Sequence, residues 1–227
     1  MRWLILTACL VAIWGSAATM AQMPPTPAQV AAYVGLHRAA HEGDVGTLVR
    51  LVREGEDVNA RDDRGRTPAH VAAFASQDAA LRVLAGAGAD LTLLEQGRYD
   101  VLTIAAVAND PEMVSLALEL GNPPDLVTSV YDGTALIAAA HLGHHVVVRR
   151  LVAGGAPLNH VNNLDWTALI EAVVLGDGGE DHTATVRILL EGGADPQLPD
   201  GSGHTPLELA MARGYTEIAR LIREAGG

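Results

Sequence analysis

Apolar residues recur along this chain in short stripes with helical spacing. LVRLV (48–52), VVVRRLV (146–152) and VRILL (186–190) each place their apolar side chains on one face of a helix. Shorter apolar segments alternate with them, four headed by threonine: TPAHVAA (67–73), TALIAAA (134–140), TALIEAV (167–173) and TPLELAM (205–211). Glycine-rich stops stand at REGEDVN (53–59), GAGADLT (86–92), GGAPLNH (154–160) and GGADPQL (192–198). Each unit therefore predicts a helix, a short turn, a second helix, a glycine stop and an extended loop. Thr67 and Thr205 are expected to cap their helices, with proline at the first helical position, where the missing N–H costs nothing. Gly88, Gly155 and Gly193 stand where a left-handed C-cap is wanted. Asp62-Asp63-Arg64-Gly65 and Asp200-Gly201-Ser202-Gly203 carry the turn chemistry of connecting hairpins.

The units repeat. Taking Val34, Thr67, Asp100, Thr134, Thr167 and Thr205 as starts gives spacings of 33, 33, 34, 33 and 38 residues. Self-similarity at this period marks stacked repeats, each burying its apolar face against its neighbours. TPAHVAA, TPLELA and EGEDVNARDDRGRTP resemble the helix start and link of the ankyrin repeat family, and the resemblance covers roughly residues 30–227. Repeat 3 departs from it, lacking the threonine cap and carrying Gly121-Asn122-Pro123-Pro124 at its stop. Repeat 5 departs by five extra residues around 176–181. The resemblance implies an all-α solenoid of about six helix-turn-helix repeats joined by short hairpin-like loops. It would span 34–227, behind an N-terminal linker or cap at 22–33. The resemblance also implies a protein partner, bound on a concave surface of first helices and hairpin tips.

With each start numbered zero, apolar or small residues of the first helix recur at +2, +5, +6 and +9, which sets the direction of the inter-repeat core. Positions +4 and +7 lie nearly opposite, flanked by +3 and +8. Glu171, the carboxylate within DWTALIEAVVLG (165–176), stands at +4 and is expected to face the groove rather than the core. Phe74, Val107, Val174 and Leu175 occupy other groove positions, leaving Glu171 and His141 as isolated polar points in an apolar surface. Tyr99, Tyr131 and Trp166 fall at or near hairpin tips, beside His160, Asn162 and Asn163, and aromatic side chains on rigid turns are favoured anchors. Trp166, one position before a helix cap, is expected to be the least packed of the three. The predicted partner-binding set is Phe74, Tyr99, Tyr131, His141, His160, Asn163, Trp166, Glu171 and Leu175. Arg61, Arg64, Arg66 and Arg98 make a local basic edge, read chiefly as a solvated face mixed with Asp62 and Asp63.

The balance of charge narrows the partner. The 227 residues carry a formal net charge of −12, with arginine as the sole strongly basic residue type. Such a chain is a poor ligand for nucleic acid or anionic lipid, both of which need a basic surface. The first 21 residues stand apart, with Arg2, an apolar run from Leu4 to Trp14, and then small residues. This is the layout of a secretory signal peptide cleaved after Ala18 or Ala21. The mature protein is then expected in the periplasm, off the membrane, and monomeric. Cys9 sits in a lipobox-like LTAC, but the apolar run continues past it to Ile13, unlike a lipid-attachment site. Removal of the segment leaves no cysteine.

Nine histidines invite a metal or catalytic reading. By the family resemblance, His37 and His70 stand at a histidine that hydrogen-bonds between repeats, and His144 in its Gly-His turn. His141 and His145 have i,i+4 spacing, but Gly143 should end the helix between them, and no cysteine or carboxylate completes a set. Asp177, Glu180 and Asp181 lack calcium-loop spacing and are read as loop. No nucleophile motif, phosphate-cradling loop or evident acid pair occurs. Hence no catalytic residue, metal or cofactor is assigned. The leading expectation is an exported protein-binding scaffold, of inhibitor or immunity type toward an envelope enzyme. The alternative is a small-molecule or hydrolytic site in the repeat 4–5 groove using His141 and Glu171.

Overall fold

Residues 22–226 are described in the structure, a computed structural model; the signal-like segment and Cys9 lie outside them. A short helix α1 (Pro27–Ala32) precedes six helix pairs: α2 (Gly35–Glu42) with α3 (Val45–Arg53), α4 (Pro68–Phe74) with α5 (Asp78–Gly86), and α6 (Val101–Val107) with α7 (Pro111–Glu119). They continue as α8 (Ala135–His141) with α9 (His145–Ala153), α10 (Ala168–Val174) with α11 (Glu180–Glu191), and α12 (Pro206–Ala212) with α13 (Thr216–Glu224). Among the described residues the loops form no strand; Thr128 and Gly133 make one isolated bridge.

The first helices α4, α6, α8, α10 and α12 have seven residues each, too short to hold alone in water. Caps define their ends. Thr67, Thr134, Thr167 and Thr205 each accept a backbone N–H three residues on, worth about 1 kcal/mol apiece. Packing supplies the rest: α2, α4, α6, α8, α10 and α12 lie side by side, with their second helices behind them. Alanines at +5 and +6, such as Ala72, Ala73, Ala105, Ala106, Ala139 and Ala140, are fully buried and let adjacent helices approach closely. One core runs from Tyr33 to Ile222. Gly88, Gly155 and Gly193 adopt φ of +91°, +84° and +97°, as their stops require.

The two irregular repeats have structural reasons. In repeat 3, Asp100 takes the cap, accepting from Thr103 N, and its second oxygen accepts from Asn122 Nδ2 at 2.7 Å. The missing threonine and the altered stop thus compensate each other. Burial pushes the Asp100 carboxyl up, against bonds from Thr103 and Asn122 that pull it down. In repeat 5 the expectation of a loop at 176–181 is corrected in part. Glu180 and Asp181 begin the lengthened α11, where acids favour a helix N-terminus. Gly178 turns at φ +72° against the Tyr215 ring, 2.5 Å from where a Cβ would stand.

Candidate functional site

The loops decide what the first helices can show. Five residues before the helix start, Asp62, Asn162 and Asp200 each use one oxygen to accept two N–H groups of their own loop. The other terminal atom has a different task in Asp62 and in Asn162. Asp62 Oδ2 takes Arg66 Nε at 2.7 Å and the Tyr33 hydroxyl at 3.2 Å. Asn162 has an amide instead, and its Nδ2 donates to Glu171 Oε1 at 2.8 Å.

Glu171 is therefore not on the open surface as expected: it is 4% exposed. The cause is general to the interior repeats. Positions +3 and +4 lie in the half of the first helix nearest the loops, and His70, Val71, Thr103, Ile104, Ile137 and Ile170 are buried there too. Apart from half-buried Ala138 at +4, it is +7 and +8, at the far end, that reach solvent. His141, Leu142 and Leu175 are exposed there, and Phe74, Val107 and Val174 are half-buried. The apolar face is thus a narrow stripe along helix ends.

His141 and Glu171 do come together across repeats 4 and 5. His141 Nδ1 stands 3.3 Å from Glu171 Oε2, with side-chain exposures of 48% and 5%. That oxygen is buried and accepts no hydrogen bond of ordinary geometry. His145 instead faces Asp181 at 3.3 Å, because α8 ends at His141 and Gly143 turns at φ +70°. His182 bridges Asp177 Oδ1 and the His141 carbonyl, each at 3.0 Å. Among the described residues no three His, Cys, Asp or Glu side chains converge as a metal set.

The other histidines hold the stack. His70 accepts from Thr67 N at Nδ1 and donates Nε2–H to the Leu93 carbonyl at 2.8 Å. Burial, the dominant cause, depresses its pKa to about 4. His37 donates to the Arg66 carbonyl, and His144 to that of Ala106.

The rim residues divide. Tyr131 and Asn163 are exposed, but Asn163 Nδ2 donates to the Val130 carbonyl and its N–H to that of Tyr131. His160 donates to the Asp132 carbonyl at 2.7 Å, so both polar residues tie adjacent loops together. Trp166, expected to be the least packed, is half-buried, whereas Tyr131 is the exposed aromatic. Tyr99 is half-buried and packs on the core. The basic edge is largely engaged: Arg66 is buried on Asp62, Arg61 donates to the Gly65 and Leu94 carbonyls, and Arg98 faces Asp132. The residue missing from the predicted set is Asn162. Its signal was an amide where Asp62 and Asp200 stand, nine residues before an unexplained glutamate.

A family model described as ankyrin repeats (3 copies) matches residues 36–126 and 102–200. The chain is 37% identical over 190 residues to the putative ankyrin repeat protein YahD of Escherichia coli, covering 83% of this chain and 94% of that protein. An ankyrin repeat domain from Acinetobacter baumannii is 39% identical, with a TM-score of 0.78 over 84% of this chain and 97% of that one. A chain in the solved structure of the Bd0816 predatory endopeptidase from Bdellovibrio bacteriovorus in complex with immunity protein Bd3460 is 25% identical. Its TM-score is 0.68, over 85% of this chain and 98% of that one.

Proposed function

Because the chain belongs to the ankyrin repeat family, we propose that it is an exported scaffold that binds a protein partner across the exposed ends of its first helices. Members of this family are in general interaction scaffolds rather than enzymes. The observation that carries the reading is the stripe itself. Leu142 and Leu175 are 42% and 44% exposed on adjacent helices, with Phe74, Val107 and Val174 half-buried in line. Apolar side chains gathered on one face of an otherwise acidic protein suit a partner's apolar segment. Tyr131 extends the face to the loop tips. Export rests on the layout of residues 1–21, and N-terminal sequencing of the periplasmic fraction tests it, a chain beginning at Met1 counting against it.

The finer role we infer is neutralisation of an envelope enzyme by a monomeric protein. The likeness to a chain in an endopeptidase–immunity protein complex supports it. Affinity capture from periplasmic extract, parent against Leu175→Asp, tests both levels. An envelope hydrolase retained by the parent, inhibited by it, and lost on Leu175→Asp is the expected result. A partner held equally by both would remove the stripe from the account. The alternative of a hydrolytic site gains one observation, the 3.3 Å approach of His141 to Glu171. Among the described residues no hydroxyl or thiol bonds His141 Nε2, so the pair has a base and its orienting group without a nucleophile.

A further inference from the structure

Four acids fall along α10, the turn after it and the start of α11: Glu171, Asp177, Glu180 and Asp181. Asp177 faces His182 and Asp181 faces His145, on the solvent side. Glu171 differs. It is buried, one oxygen is held by Asn162, and the other accepts no hydrogen bond while pointing at the imidazole of a half-exposed histidine. Within the fold, that second oxygen has only the His141 ring, at 3.3 Å, to face.

The geometry also assigns the imidazole's proton. A lone pair on Nδ1 would face carboxylate oxygen and be repelled, so the neutral ring carries its proton on Nδ1. Nε2 is then an acceptor, and among the described residues nothing donates to it. Leu142 follows His141 in sequence and Leu175 holds the equivalent position at the end of the adjacent α10; both are exposed, which suits an aliphatic stem.

We propose that the His141–Glu171 pair is a receptor for one cationic side chain, a lysine or arginine, carried on an apolar segment of the partner protein. This rests on the docking reading above. The cation donates to His141 Nε2 while its stem lies on Leu142 and Leu175. The buried carboxylate, through the ring, supplies the negative charge that the cation meets. The chain's net charge of −12 favours the same sign of partner. Arg213 is the opposing charge: it reaches α10 from repeat 6, donating to the Val174 carbonyl at 3.1 Å.

The test uses two acetylated, amidated helical peptides with leucines at i, i+3 and i+7 and either lysine or glutamine between them. Binding to the mature protein is followed by backbone amide chemical shifts at the ends of α8 and α10. The lysine peptide is expected to bind about ten-fold tighter than the glutamine peptide, the worth of one charge-assisted hydrogen bond. The advantage disappears in Glu171→Gln and grows in Arg213→Ala. If Glu171→Gln fails to fold, His141→Arg serves in its place: it sets the chain's own cation over Glu171 and removes the advantage equally. A lysine advantage that survives these variants, or peptides that bind alike, would overturn the receptor. Loss of both peptides on Leu175→Asp would still leave the docking stripe standing in that case. Failure of both peptides to bind the parent counts against stripe and receptor together.

Discussion

His70 and Glu171 are both buried polar side chains on first helices, and their surroundings differ in one respect. Each nitrogen of His70 is matched, one by the Thr67 N–H and one by the Leu93 carbonyl. Glu171 is matched at Oε1 by Asn162 and has no hydrogen bond at Oε2. The histidine joins repeat 2 to the following loop and leaves nothing over for a ligand. The glutamate is anchored at one oxygen and directed at His141, on the open stripe, with the other. Burial is therefore common to the two, and the completeness of their hydrogen bonding is what distinguishes them.

The largest effect should come from His70→Leu. It strips partners from the Leu93 carbonyl and the Thr67 N–H, so a loss of about 3 to 4 kcal/mol is expected in urea melts at pH 7. The acid response sharpens the point. The folded pKa near 4 lies below the ordinary 6.5, so the unfolded chain binds the proton first. Stability is therefore full above about pH 6.5 and falls by roughly 3 kcal/mol toward pH 4. His70→Leu should remove that component of the slope, and an unchanged slope would assign the acid loss elsewhere.

Asn162→Asp comes next, at about 2 to 3 kcal/mol. It restores the residue type found at Asp62 and Asp200, yet sets a second carboxylate 2.8 Å from Glu171 in place of a donor. Adding Glu171→Leu should recover part of the loss, by removing the facing carboxylate while the introduced one stays short of a donor. A double variant as unstable as the single one would break the coupling.

Much of the fold was legible because its punctuation is local. Thr67, Thr134, Thr167 and Thr205 cap, the stop glycines turn left-handed, and the 33-residue register follows. The +7 and +8 stripe was legible too, since helical periodicity points those positions away from the core. The burial of Glu171 was not. A 100° projection of one helix contains no loops, and the loops cover +3 and +4. The same blindness placed Trp166 too far into solvent and left Asn162 out, because its amide matters only once the loop folds back on α10. At α11, Glu180 and Asp181 were read through calcium spacing when they are first-turn acids of a longer helix.

The smallest effect on stability carries the central claim. Glu171→Gln keeps an acceptor for Asn162 and removes a buried charge, so its melting should stay within about 1 kcal/mol of the parent. The most direct measurement is the affinity of the captured partner for this variant, taken alongside its melt. The account predicts a fold of parental stability that binds the partner about ten-fold or more weakly. A variant that loses several kcal/mol of stability while binding as tightly as the parent would contradict it, and would make Glu171 a structural residue like His70.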